Sequence, residues 1–120
     1  MKTIIAGSRG ITDHQEMYYL MSQIWPDTIN ITEVISGTAA GVDTWGESWA
    51  KGFGIPVKSF PADWDKYGKA AGYIRNDEMA KYADACIIFW DGHSKGTQHM
   101  INLSTKYNLV LFVFTIKGNI

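Results

Sequence analysis

The chain has 120 residues, 46% of them hydrophobic and 19% charged, with a formal net charge of −1. That length fits one domain, expected over residues 1–120, with enough chain to bury a core without staples. The near-neutral charge excludes a protein that holds nucleic acid by bulk basic charge, and the single cysteine, Cys86, excludes an internal disulfide and fits a reducing compartment.

Lys2 and a short apolar run open the chain, and glycine and charge follow at once, which does not fit a signal peptide. Thr3 to Ala6 is β-branched and apolar and ends in GSRG, a buried strand followed by a turn. Thr12 or Asp13 suits the cap of a helix running to about Trp25, with Met17, Leu20, Met21 and Ile24 on one face, and Pro26-Asp27 breaks it. Glu33 to Ser36 reads as a second strand. GTAAGVD then turns into a helix ending near Gly52-Phe53-Gly54, where Gly54 suits the position just past a C-terminus. Trp45, Trp49 and Phe53 share one face of it, as core or subunit contact.

Pro56 to Phe60 is a third strand, and residues 61–72, rich in Trp, Tyr, Lys and Asp, read as irregular. Tyr73 to Tyr82 is a helix, and Ala85 to Trp90 is the most apolar strand. The polar turn DGHSKGT, a helix from Thr97 to Tyr107 and a strand from Leu109 to Thr115 complete the order. No apolar stretch approaches the length of a membrane span, and no membrane partner is expected. His14, His93 and His99 have no metal-ligand spacing with one another or with Cys86, so neither a metal nor a cofactor is expected.

Alternating strands and helices, with strands that are near-continuous apolar runs, predict an α/β fold whose mostly parallel five-stranded sheet is covered on both faces. Right-handed crossovers make it a doubly wound three-layer sandwich with expected strand order 3-2-1-4-5. Ligands of such sheets bind at the switch point, here between strands 1 and 4, outside the C-terminal strand ends. Three small, polar turns fall on that edge: GSRG, SGTAAGVD and WDGHSKGT. Each leads into a helix, whose first amide groups and positive dipole end favour an anion. Ser8, Thr38, Ser94 and Thr97 add hydroxyls, and Arg9 adds a fork that fits phosphate. Neither GxGxxG nor GxxxxGK[ST] occurs, so the common dinucleotide and P-loop signatures are missing. Each turn taken singly is also what any tight strand-to-helix connection uses.

GSR at 7–9, SGTAAGVD at 36–43, PADW at 61–64, RNDEM at 75–79 and WDGHSKGT at 90–97 together resemble the YspA-like branch of the SLOG superfamily. Its relatives include the Lonely Guy (lysine decarboxylase-like) enzymes and the DNA-processing protein DprA/Smf. The resemblance implies a Rossmann-like fold, a nucleotide or nucleotide-derived ligand, and a homodimer or larger homo-oligomer. Turns and matched motifs nominate as ligand contacts Gly7, Ser8, Arg9, Ser36, Gly37, Thr38, Ala39, Gly41, Val42, Asp43, Trp64, Arg75, Asn76, Met79, Asp91, Gly92, Ser94, Gly96 and Thr97.

Three functional readings follow. The first is a binding module, a sensor or sequestering protein for an ADP-ribose-like molecule or a cyclic nucleotide. The second is an N-glycosidase acting on nucleoside 5′-monophosphates, as in Lonely Guy enzymes. There the family motif PGGxGTxxE supplies a glutamate. Here Gly96-Thr97 match its GT, Arg75 matches the family arginine, and Asn76 stands where the family has lysine. Met100 takes the glutamate's position and cannot move a proton. Of the remaining carboxylates, Asp91, Asp43 and Glu78, Asp91 is the best substitute and, with Arg75, the catalytic candidate, although a turn or cap role suits Asp91 better. Asp43 suits the start of the second helix. The third reading is single-stranded DNA binding, with Lys51, Lys58, Lys66, Lys69, Arg75 and Lys81 beside Trp64 and Tyr67. Bacterial cytoplasm, or host cytoplasm for a phage-encoded chain, is the expected location.

Overall fold

The computed structural model describes residues 1–116, so the last four positions of the domain expected over 1–120 lie outside the described residues. Five strands, β1 (Lys2–Gly7), β2 (Glu33–Ser36), β3 (Val57–Ser59), β4 (Ala85–Trp90) and β5 (Val110–Thr115), form one sheet in the order β3-β2-β1-β4-β5. The order is the expected one, and every pairing is parallel. The helices are α1 (His14–Ile24), α2 (Val42–Gly52), α3 (Trp64–Tyr67), α4 (Ala71–Tyr82) and α5 (Lys95–Lys106).

The central strands are apolar on both faces because both faces are covered. Ile5, Ile87 and Phe89 turn to one side, where Met17 and Met21 of α1 and Trp45 and Trp49 of α2 meet them. Ile4, Cys86 and Ile88 turn to the other, against Met79 and Ala80 of α4 and Met100 and Leu103 of α5. The period of two along each strand therefore feeds two separate apolar clusters, giving a three-layer sandwich. Burial pushes the Cys86 thiol up to about 12, which makes it an inert core residue. Trp45 and Trp49 belong to the core, whereas Phe53 lies largely exposed beside Trp25 and Trp49. The buried Trp45 indole N–H has no hydrogen-bond partner among the described residues, and its ring meets Tyr18 and Phe89 edge to face.

Two segments differ from the sequence expectation. Residues 61–63 are irregular as expected, but 64–72 are not: Asp63 caps α3 by accepting from the Lys66 N–H at 3.1 Å, and a short 3-10 turn, Gly68–Ala70, leads into α4 at Ala71. Helix α5 begins at Lys95 rather than Thr97, because Ser94 takes the cap position and accepts from the Thr97 N–H at 3.4 Å. Among the described residues no helix is long and apolar enough to cross a membrane.

Candidate functional site

A cleft of about 450 Å³ opens at the C-terminal ends of β1 and β4, at the switch point of the sheet. Ala6 and Gly7 line its floor, Arg75, Asn76 and Met79 of α4 form one wall, and Gly96, Thr97 and Met100 of α5 form another. Ala39 and Asp43 enter from the start of α2, Arg9 and Gly10 from the turn after β1, and Asp91 and Ser94 from the loop after β4. A cavity of this size falls in the range of small-molecule sites.

Several nominated residues sit beneath or beside the cleft and hold its frame. Ser8 is buried; its amide donates to the Phe89 carbonyl at 3.0 Å, and its hydroxyl accepts from the Asp91 N–H at 3.1 Å and lies 3.3 Å from the Thr97 hydroxyl. This one serine ties the turn after β1 to the loop after β4. Ser36, also buried, donates to Glu47 at 2.7 Å and accepts from the Thr38 N–H at 3.0 Å. Thr38 has φ +64, a conformation that β-branched residues rarely adopt. Val42 is buried against Gly7.

The small residues of SGTAAGVD make room chiefly for the chain itself. A Cβ at Gly37 would lie 2.9 Å from both Arg75 Nη1 and Asp43 Oδ2. Gly41 combines φ +86 with close approach to the Arg9 backbone, where a Cβ would be 3.3 Å from the carbonyl oxygen. Trp64 is 56% exposed and does not line the cleft; it stands across Gly72 from Arg75. Gly92 is the exposed apex of its loop, with φ +86.

The electrostatics divide the carboxylates. Asp43 is only 7% exposed, and burial pushes its pKa up to about 6, against the opposing pull of the Ala39 N–H at 3.1 Å and the charges of Arg75 and Arg9. Asp91 accepts from the His93 and Ser94 N–H groups, each at 2.8 Å, and these bonds hold its carboxyl below the usual range. Its oxygen is thus engaged in shaping the loop, the turn role weighed for it in the sequence. Arg75 donates to the Gly37 backbone carbonyl through Nη1 and to the Asn76 side-chain oxygen Oδ1 through Nε at 2.9 Å. Burial lowers the Arg75 pKa from its very high ordinary value, and the guanidinium stays charged.

Sequence reasoning did not nominate Ala6, Gly10 or Met100 as lining residues. Ala6 and Met100 carry no polar signal, and Gly10 looks like any turn glycine. Lys51, Lys58, Lys66, Lys69 and Lys81 do not line the cleft; Lys81 pairs with Asp77 at 2.9 Å, and Lys58 and Lys66 lie over Phe60 and Tyr67. Among the described residues no group of three or more His, Cys, Asp or Glu is placed to hold a metal ion.

A doubly wound parallel sheet with its cleft at the switch point defines a Rossmann-like α/β domain. A family model described as YspA, cpYpsA-related SLOG family (YAcAr) matches residues 1–67, and the chain belongs to that family. The "Gene 61 protein" of Mycobacterium phage D29 is 30% identical over 119 residues, covering 94% of this chain and 95% of that one. Membership of the family points to a nucleotide-related ligand.

Proposed function

We propose that the cleft binds a phosphate-bearing, nucleotide-derived molecule and holds it without turnover, as a sensor or sequestering protein does. The observation that carries this reading is the lining of the cleft: Arg9 and Arg75 face one cavity with the first turn of α5, while the apolar Met100 lies in the same wall. Two guanidinium groups and a helix start suit phosphate oxygens. The thioether offers no proton, so the carboxylate chemistry of the related glycosidases lacks its usual group there.

Phosphate is expected at Arg9, Arg75 and the Gly96-Thr97 turn, with Asp43 and Asn76 near the sugar. Trp64, exposed beyond Arg75, is available to stack on a base. Calorimetric titration with AMP, ADP-ribose and cyclic AMP, together with mass spectrometry of whatever heat releases from purified protein, tests the reading. An intact nucleotide bound and recovered unchanged is expected; protein that binds none of them and releases nothing overturns it.

One observation favours a second reading, an N-glycosidase. Asp43 lines the cleft with its pKa at about 6, close to where a carboxyl can exchange a proton at working pH. On that reading free base accumulates from a nucleoside monophosphate and its release stops in Asp43→Asn. Asp91 is the poorer candidate because two backbone N–H groups hold its oxygen in the loop.

A further inference from the structure

The wall of the cleft contains a hydrogen-bonded chain whose donors and acceptors permit only one arrangement. Arg75 Nε donates to Asn76 Oδ1 at 2.9 Å, and Asn76 Nδ2 lies 3.3 Å from His99 Nδ1. Arginine can only donate, so the oxygen of the Asn76 amide must face it. The amide nitrogen then faces His99, and it too can only donate. His99 Nδ1 must therefore be an acceptor, in a neutral ring that carries its proton on Nε2.

We propose that His99 is a positioning residue: its unprotonated Nδ1 fixes the Asn76 amide, which in turn fixes the Arg75 guanidinium at the ligand cleft. The consequence for ligand rests on the reading of that cleft as a phosphate site. His99 does not line the cleft and acts through its neighbours. The Tyr73 ring packs edge-on against the imidazole with centroids 4.6 Å apart, which restrains the ring plane. A proton on Nδ1 would set two donors against each other. Asn76 would then have to turn its oxygen to His99 and release Arg75 Nε, leaving the guanidinium with the Gly37 carbonyl as its hydrogen-bond acceptor among the described residues and the charge of Asp43 nearby.

Among the described residues the charged and titratable groups around His99 include Asp77, Tyr73 and, through Asn76, Arg75 on α4, and Lys95 one turn earlier on α5. Cys86, on the strand beneath, lies under Ser104 further along the helix. Burial lowers the His99 pKa and Asp77 opposes the shift, so the neutral ring is favoured at pH 7.

Two measurements on the whole chain test the proposal. Nitrogen-15 NMR of the ligand-free protein reads the His99 tautomer directly. The Nε2–H form at pH 7 is expected, and the Nδ1–H form overturns the relay whatever binds in the cleft. AMP titration is then compared across variants with unchanged melting temperature. His99→Leu, which removes the acceptor, is expected to weaken AMP about ten-fold. His99→Asn, whose side-chain oxygen replaces Nδ1, is expected to restore affinity and to flatten the part of the pH profile that comes from His99. Asp43 and the phosphate titrate equally in both proteins and cancel in that comparison. If Arg75→Ala loses AMP while His99→Leu binds like the parent, the relay is wrong and the site stands. If Arg75→Ala binds AMP like the parent, the phosphate reading fails, and the ligand consequence of the relay fails with it.

Discussion

Asp43 sits in the first turn of α2, where an ionised carboxylate gains from the helix dipole, yet burial outweighs that gain and pushes its pKa up to about 6. The sign of the pH effect follows. A carboxyl whose folded pKa lies above its unfolded value contributes stability fully below pH 3.8 and loses it as pH rises through about 6. The gap corresponds to roughly 2–3 kcal/mol by pH 8. Asp43→Asn keeps an acceptor for the Ala39 N–H and removes the buried charge. Urea denaturation is therefore expected to find the variant more stable than the parent by about that amount at pH 8, and nearly equal to it at about pH 3. An equal difference at both pH values would contradict burial as the cause. The same variant loses proton exchange in the cleft, so its effects on stability and on any base release can be read in one protein.

At the scale of elements, the cleft depends on how the turns are tied. Ser94 caps α5 and also accepts from the Thr97 hydroxyl at 3.1 Å, which connects it through Ser8 to the turn after β1. Ser94→Ala is expected to cost about 1 kcal/mol in thermal or urea unfolding. Gly41→Val is expected to cost more, on the order of 2 kcal/mol, because φ +86 is strained for a branched side chain and the Arg9 backbone lies behind it. A Gly41→Val protein as stable as the parent would show that the turn yields easily. The strand order was legible in the sequence because alternation, apolar runs and handedness leave few topologies. The three turns were legible because each joins a strand end to a helix start. What was hidden is which small polar residue serves which purpose. Ser8 and Ser36 look in sequence like phosphate hydroxyls, but their partners, the Asp91 amide and Glu47, are supplied by the tertiary fold. Gly37 looks like a place for ligand, and Arg75, 38 positions later, occupies the space over it. Residues 61–72 hid their helical turns because four-residue segments carry no periodicity.

For the whole molecule, the two apolar clusters on opposite faces share the sheet that positions the cleft, so ligand held at the strand ends is coupled to global unfolding. A ligand that binds only the folded chain stabilises it by ~2.7 kcal/mol at one hundred times its Kd. For a domain of this size that raises Tm by roughly 10 °C. Differential scanning fluorimetry with AMP, ADP-ribose and cyclic AMP is expected to give such a shift for at least one of them. The shift should disappear in the double variant Arg9→Ala, Arg75→Ala, which removes the two cationic side chains that line the cleft among the described residues. Salt separates this from nucleic-acid binding. A small anion held by two arginines in a cavity loses affinity gently as salt rises. A strand lying along many phosphates releases counterions and loses affinity steeply between 50 and 200 mM salt. With a net charge of −1 and no lysine lining the cleft among the described residues, the gentle dependence is expected. A steep one, with oligonucleotide giving the larger thermal shift, would move the binding surface from the cleft to the face that carries Lys66 and Lys69.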